Sequence, residues 1–292
     1  KNTALISGAV GTGVTTWDHV AGAGAIMQAS GVPMDQDWCY FANPFTQRSL
    51  ASNQRSLGGE TGSMSANQRA VITDNFAGMK VMTATTLPSY TTGVGADRAG
   101  TLSGTPTATY LAAKDTMTMS IAVTAFQANL VVAAGETITV TGRNRLNLST
   151  RKPIVDETGA QILFSGTVTA AVTLNGSGAG TLVITGPGVY EAAGAFNTVD
   201  SALTSGDVVT LGGAASKLIQ PNLFWHKQAF GIGSVPIKKL YSTDTIATTE
   251  DGLQFRVSKY ANGDANKQIV RFDFRPAYAV LNPFFAGKSF GG

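Results

Sequence analysis

The sequence predicts an α+β protein in which an all-β domain interrupts a mixed core. Helix and strand patterns alternate over residues 1–87, helix patterns vanish over 88–190, and mixed character returns over 191–292. Only 13% of the residues are charged, roughly half the share usual for a soluble domain. We therefore divide the chain into a first core segment, an inserted β-barrel-like domain and a second core segment, and expect the two core segments to pack together.

The first core segment carries the helix signals. A helix is predicted over 17–30 because Thr15 or Thr16 can serve as its N-cap, Gly31 takes the C′ position and Pro33 follows. The further elements predicted here are a strand at 38–42 that is apolar throughout and so buried on both faces, helices at 46–57 and 65–72, and a strand at 80–85.

The middle segment alternates apolar residues with threonine at period two, between glycines, which is typical of an all-β domain. The predicted strands cover 117–124, 137–141, 162–168, 171–174 and 181–185. Asn175-Gly176 predicts a hairpin turn between the last two.

The last segment is mixed. A short helix and a strand are predicted within 197–211, and residues 223–225 form a compact apolar run. Residues 253–260 and 268–275 predict a hairpin around Asn262-Gly263-Asp264.

The strongest enzyme-like pattern runs from Gly8 to Thr16. It fits the phosphate-binding loop G-x-x-x-x-G-K-[ST] except that Val14 stands where the motif needs lysine. That lysine supplies the positive charge that reaches the β and γ phosphates, and valine cannot replace it. We interpret the segment as a glycine-rich turn before a helix and reject an ATPase.

No other segment predicts catalysis, a cofactor site or a metal site. Cys39 is the single cysteine, which excludes an intrachain disulfide and a thiolate zinc site, and its apolar strand favours a structural thiol. His19 and His226 are the two histidines. We interpret His226, beside Trp225 and Lys227, as a packing or interface residue.

The charges predict assembly more than ligand binding. The net charge is +3 with no block of like charges, and no run of 18 apolar residues exists to cross a membrane. A surface with so few charges gives little electrostatic repulsion between copies of the protein. Arg143, Arg145, Arg151 and Lys152 form the one basic cluster, which is either a solvated loop or a contact loop that reaches an acidic patch on a neighbouring subunit.

The flanking segments resemble the coat proteins of short-tailed Salmonella-type bacteriophages. The resemblance rests on Phe41-Ala-Asn-Pro44, Phe76-Ala-Gly-Met79, Leu223-Phe-Trp-His226 and Arg271-Phe-Asp-Phe-Arg275-Pro-Ala-Tyr278, with Gly135-Glu-Thr-Ile-Thr-Val-Thr-Gly142 in the place of the family's insertion. It implies the Hong Kong 97-like capsid fold, with peripheral and axial domains and an inserted β-domain. Family members begin with an N-terminal arm, an extended loop and a spine helix, and we expect this chain to start at the end of that helix.

The resemblance also implies a function. Such a protein forms hexamers and pentamers that build an icosahedral shell around double-stranded DNA, with no enzymatic activity, cofactor or membrane partner. The implied partners are further copies, a scaffolding protein, a portal and non-specifically bound DNA, in the virion and, during assembly, in the host cytoplasm. The alternative is a β-rich surface or tail-associated carbohydrate-binding module (an adhesin), which the low charge and the Asn147-x-Ser149 and Asn175-x-Ser177 triplets would suit.

Overall fold

A computed structural model describes residues 2–35, 37–56, 71–106 and 108–292. Within them the chain is mostly β with few helices: α1 (Trp17–Ala29), α2 (Pro44–Ser56), the four-residue α3 (Tyr110–Ala113), and 3₁₀ turns at Lys227–Ala229 and Pro283–Phe285. The strands are β1 (Leu5–Ser7), β2 (Trp38–Ala42), β3 (Val71–Phe76), β4 (Met79–Thr83), β5 (Tyr90–Thr91), β6 (Ala99–Leu102), β7 (Thr118–Thr124), β8 (Val131–Val132), β9 (Thr137–Asn144), β10 (Leu163–Val168), β11 (Val172–Thr173), β12 (Gly180–Thr185), β13 (Val208–Leu211), β14 (Leu218–Ile219), β15 (Asn222–His226), β16 (Phe230–Ser234), β17 (Thr245–Thr248), β18 (Gln254–Asn262), β19 (Lys267–Phe274), β20 (Pro276–Val280) and β21 (Ala286–Ser289).

The chain divides into two compact units. The first contains the residues up to Ala229 together with Asn282–Gly292, and the second is Phe230–Leu281. The first unit holds a six-stranded sheet and a closed barrel.

The six-stranded sheet has the order β1-β21-β15-β2-β4-β3. The pairs β1–β21 and β2–β4 are parallel and the others antiparallel. Strands from both sides of the predicted insertion therefore share this sheet. Its core contains the fully buried side chains of Met27 from α1, Trp38 and Tyr40 from β2, and Phe224 from β15.

The bounds predicted for helix α1 and strand β2 are closely confirmed, but β2 is not buried on both faces as predicted. Thr16 is the N-cap of α1, although its side chain makes no capping hydrogen bond, and Ser30 is the C-cap. Along β2 one face is buried through Trp38 and Tyr40, whereas the other is half-buried. On that second face Phe41 stacks on Trp225 at 4.4 Å between ring centroids.

The barrel closes in the order β10-β12-β7-β6-β13-β9. The predicted strands at 117–124, 137–141, 162–168 and 181–185 correspond to β7, β9, β10 and β12. Alternate residues of these strands fill the interior, among them the fully buried Ile121, Ile138, Phe164 and Leu182. Strand β13 completes the barrel from beyond residue 190.

The two chain segments that enter and leave the barrel lie side by side. Strands β5 and β14 pair antiparallel, with Tyr90 opposite Ile219. The amide of Thr92 donates to the carbonyl of Lys217 at 2.9 Å. The barrel is thus tied to the rest of its unit by a two-stranded neck.

The prediction of a helix within 197–211 is wrong, because polar side chains there hold the backbone in turns. The Thr198 hydroxyl accepts from the amide of Val189 and donates to the carbonyl of Pro187, and the Asp207 carboxylate accepts from the amide of Thr204. Such local bonds compete with helix formation.

In the middle segment, where no helix was predicted, the short helix α3 follows Thr109, whose hydroxyl caps it. The helix predicted at 65–72 lies outside the described residues except for 71 and 72, which belong to β3.

The second unit consists of two small sheets. Strand β16 pairs with β20, and β17, β18 and β19 form a three-stranded antiparallel sheet. The hairpin predicted from 253–260 and 268–275 is confirmed as β18 and β19.

Candidate intersubunit contact loop

Arg143 of the predicted basic loop lies in β9, and the rest of the loop follows this strand and is held against the end of helix α1. The Asn147 side chain donates to the carbonyl of Ala29 at 2.7 Å and accepts from the amides of Ser149 and Thr150. The amide of Leu148 donates to the carbonyl of Ser30 at 3.0 Å. A short polar residue that satisfies two backbone amides makes an Asx turn, so Asn147 both shapes the loop and anchors it.

Arg143 holds two segments of the barrel together. Its Nε and Nη2 atoms donate to the two carboxylate oxygens of Asp207, both at 2.7 Å, and Nη1 donates to Ser201 at 2.9 Å. Burial alone would raise the pKa of Asp207, but the hydrogen bonds from Arg143 and Thr204 lower it below its ordinary value. This bidentate pair gives Arg143 a structural role within the subunit.

Arg145 is buried, with 4% of its surface exposed. Its Nη2 donates to the carbonyls of Ala4 at 3.0 Å and Ser165 at 2.7 Å, and its guanidinium lies 5.6 Å from the ring centroid of Phe284. Burial lowers the pKa of Arg145 to about 10. The side chain therefore links barrel strand β10 to the residue before β1 and does not face solvent.

Arg151 and Lys152 lie at the outer end of the loop. Arg151 has a positive φ of 57°, donates to the carbonyl of Asn197 at 2.8 Å, and lies 5.9 Å from the ring centroid of Phe196. The side chain of Lys152 is exposed. The structure therefore brings Arg143, Arg145 and Arg151 into contacts inside the subunit. Of the four predicted cations, Lys152 alone projects freely into solvent.

An apolar cavity of about 400 Å³ lies beside this loop. The rings of Tyr110 and Phe196, which stack at 4.1 Å, line it together with Leu148 and Phe284. The outer end of the loop thus borders a concave apolar surface as well as presenting a charge.

A buried charge cluster, which the sequence did not reveal, joins the barrel to the six-stranded sheet. The fully buried Glu136 forms an ion pair with Arg98 and accepts from the amides of Gly93 and Ala133 at 2.7 and 2.8 Å. Lys288 of β21 donates to the carbonyl of Gly135 at 2.5 Å. Burial lowers the pKa of Lys288 to about 7, with Glu136 acting in the opposite direction.

His226 is fully buried and packs edge-on against Phe285 at 5.6 Å between ring centroids. The amide of Gln228 donates to its Nδ1, so Nε2 carries the hydrogen that faces Asp35 at 2.8 Å. Asp35, Asp37 and His226 bring three metal-ligand-type atoms within 4.8 Å of one another. Since Lys227 pairs with Asp37 and His226 pairs with Asp35, contacts within the chain account for this group.

The phosphate-loop-like segment packs against the end of the chain. Gly8 has a φ of +79°, and a Cβ there would lie 2.3 Å from the carbonyl oxygen of Phe290. The Thr12 hydroxyl donates to the carbonyl of Ala9 at 2.5 Å. The glycines of this segment therefore allow close backbone contact, which agrees with a structural turn.

Cys39 is half-buried in β2, and burial raises the pKa of its thiol.

Comparison with known proteins identifies the family to which this chain belongs. The family model described as "P22 coat protein - gene protein 5" matches residues 1–292. The chain belongs to the P22 coat protein family. It is also 31% identical over 295 residues to a protein named "Major capsid protein" from Acyrthosiphon pisum secondary endosymbiont phage 1, an alignment that covers 100% of this chain and 69% of that protein.

Membership of the P22 coat protein family gives the chain a structural role in a phage capsid. The comparisons give no support to the alternative of a carbohydrate-binding module. Among the described helices, none has the length and apolar character needed to span a membrane.

Proposed function

We propose that this chain is the shell-forming subunit of a phage capsid, which assembles into hexamers and pentamers around a double-stranded DNA genome. The observation that carries the proposal is the match to the coat protein family over residues 1–292. A shell of this kind uses many modest contacts between copies of one chain, arranged with closed symmetry. The low charge of the chain and the apolar surface described below support such contacts.

The proposed subunit has the Hong Kong 97-like fold, with the barrel as its inserted domain. The β5–β14 neck supports this arrangement because the chain leaves the six-stranded sheet, forms the barrel and returns beside its point of departure. We propose the neck as the boundary of the insertion, so that the inserted domain extends past 190 to include β13.

The outer end of the basic loop remains the proposed contact with a neighbouring subunit. The exposed Lys152 supplies the charge, and the adjacent cavity can accept an apolar side chain. Arg143 and Arg145 are assigned structural roles instead, because their donors bind groups inside the subunit.

The further partners follow from the proposed role. A scaffolding protein would guide assembly in the host cytoplasm, and a portal would occupy one vertex of the shell in the virion. The genome would contact the shell non-specifically through its phosphates. We propose no catalytic activity, since the phosphate-loop-like segment and the buried histidine both make contacts that stabilise the fold.

Sedimentation velocity of the native protein, with electron microscopy of the fast fraction, tests the proposal. Closed shells of megadalton mass are expected when the scaffolding partner is present. A species that stays near the monomer mass under those conditions contradicts the proposed function.

A further inference from the structure

The sheet β17–β18–β19 presents an apolar face that the other residues of the second unit leave open. Phe255 lies opposite Phe274 and Val257 opposite Phe272 in the β18–β19 ladder, and alternate residues of a strand share a face. Val270 continues the same face, and Phe255 stacks on Phe274 at 4.8 Å. Phe272 is 74% exposed, Val270 51% and Phe274 39%. We call these five residues the phenylalanine face.

The opposite face of this sheet is polar and is covered around Arg256. Arg256, which is 5% exposed, forms an ion pair with Asp273 and donates to the carbonyl of Lys238 at 2.7 Å. The ring of Tyr241 lies 6.4 Å from that of Tyr260 on the same side. The loop that carries Lys238 therefore covers the charged Arg256, whereas Phe272 on the apolar face is open, which is the reverse of ordinary burial in a monomer.

The whole second unit shares this excess of exposed apolar surface. Of the 21 large apolar side chains that are exposed in the described residues, 11 lie in Phe230–Leu281. Within that unit Ile237 is the one apolar side chain that is buried. At about 150–250 Å² for a large side chain, these 11 expose on the order of 1,000 Å² over the whole unit. Val270, Phe272 and Phe274 are the three that lie on the phenylalanine face, so the face forms one part of a standard interface of roughly 800 Å² per partner.

We propose that the phenylalanine face packs against a second copy of this chain in the assembled shell. This inference rests on the proposed function, because a shell built from one chain supplies a second copy at every subunit boundary. The face suits such a partner since its charge is limited to Lys259, opposite Val270 at the margin. A sheet with one apolar face needs a second layer to bury it.

Substitution of the face tests the proposal in the full-length coat protein with its scaffolding partner. Phe272→Glu is expected to lower the yield of closed shells at least tenfold, while circular dichroism and the mass of the unassembled subunit stay unchanged. Leu218→Glu is the matched control, because Leu218 is 73% exposed and also lies in a small antiparallel sheet. Its shell yield should stay within twofold of the wild type. Normal yield for Phe272→Glu overturns the proposal, and wild-type protein that forms no shells contradicts the proposed function instead.

Hydroxyl-radical footprinting of the unmodified protein gives a second measure that does not depend on a variant folding. Phe272 and Phe274 should react readily in unassembled subunits and become at least fivefold less reactive in shells. Equal reactivity in both states means that no copy covers the face. Protection already present in the unassembled monomer assigns the cover to the subunit's own polypeptide, and either result overturns the proposal.

Discussion

Charged side chains are buried where the barrel meets the six-stranded sheet. Arg98 and Glu136 form an ion pair on the barrel side, and Lys288 reaches into the same region from β21 to within 5.2 Å of the ring centroid of Tyr90. Burying a charge is costly unless it is paired and hydrogen-bonded. Glu136 meets that condition through its amide and guanidinium donors, whereas Lys288 has a neutral carbonyl as its close acceptor.

Replacement of Lys288 by methionine is expected to change the pH dependence of stability. The pKa of Lys288 is about 7 in the folded protein against an ordinary value of 10.5. Between these values the unfolded chain holds the proton and the folded protein does not, so the free energy of unfolding rises with pH through this window, by about 1.4 kcal/mol per pH unit. Chemical denaturation from pH 7 to 10 should show this slope in the wild type and lose it in Lys288→Met.

Lys152→Met is the control for that experiment. Lys152→Met removes an exposed lysine and leaves Lys288 in place, so the slope of the wild type should remain. Parallel profiles for the wild type and Lys288→Met would mean that Lys288 keeps its proton in the folded protein.

The sequence identified the basic residues but not their environments. Arg143, Arg145, Arg151 and Lys152 are close neighbours in sequence, yet Arg145 is 4% exposed and Lys152 is exposed. Their partners come from distant segments, such as Asp207 for Arg143. Burial of a charge depends on these long-range contacts, which a local pattern does not contain.

At the scale of elements, the end of α1 and the basic loop form one structure. The helix ends in a Schellman motif, in which the amide of Gly31 donates to Gln28 at 3.0 Å and that of Val32 to Met27 at 3.2 Å. Gly31 has a φ of +83°, and a Cβ there would lie 2.8 Å from the Oδ1 atom of Asn147. Glycine is thus required both by the backbone conformation and by the approach of the loop.

Gly31→Ala is expected to destabilise the subunit by about 2 kcal/mol or more, because it combines the left-handed conformation with this steric conflict. Gly206→Ala serves as the control, since Gly206 has a φ of +90° and no atom within 4 Å of an added Cβ. It should lose only about 1 kcal/mol for the conformation itself. Urea denaturation measures both values, and equal losses would show that the loop adjusts without cost.

Lys152→Glu is expected to reduce the yield of shells several-fold, because it reverses the exposed charge of the proposed contact loop. The comparison is Lys217→Glu, which makes the same charge change at another exposed lysine of the first unit. Assembly measured by light scattering at low and high salt separates the two. An equal reduction for both variants would indicate an effect of net charge, and no reduction for Lys152→Glu would return the loop to a solvated role.

Strand patterns were the most predictable elements, since alternation of threonine with apolar residues continues through β7, β9 and β12. The register of a barrel is less accessible to local reasoning. Strand β13 joins β6 and β9 across long stretches of chain, so its place in the barrel follows from tertiary pairing. The hairpin β18–β19 was predicted correctly, but its alternation could not tell which face another part of the chain covers.

For the molecule as a whole, buried apolar surface is distributed unevenly. The first unit has two large apolar clusters, one in the barrel and one against the six-stranded sheet. The second unit has a single buried apolar side chain, Ile237. Its buried polar groups include Arg256, which pairs with Asp273 on the sheet, and Asp244, which accepts from the amide of Leu240 in the preceding loop. Because apolar burial is the main favourable term in folding, local stability should follow the same division.

Hydrogen exchange of the unassembled subunit should therefore be fastest in the second unit. Amides of β18 and β19 are expected to exchange at least a hundredfold faster than those of β2 and β15, whose side chains include the fully buried Trp38, Tyr40 and Phe224. Assembly should slow exchange in β18 and β19 and leave β2 and β15 nearly unchanged, because new contacts protect a region that was weakly held before. Similar slow exchange for all four strands in the free subunit would show that the second unit is stable by itself, and assembly would then have little left to order.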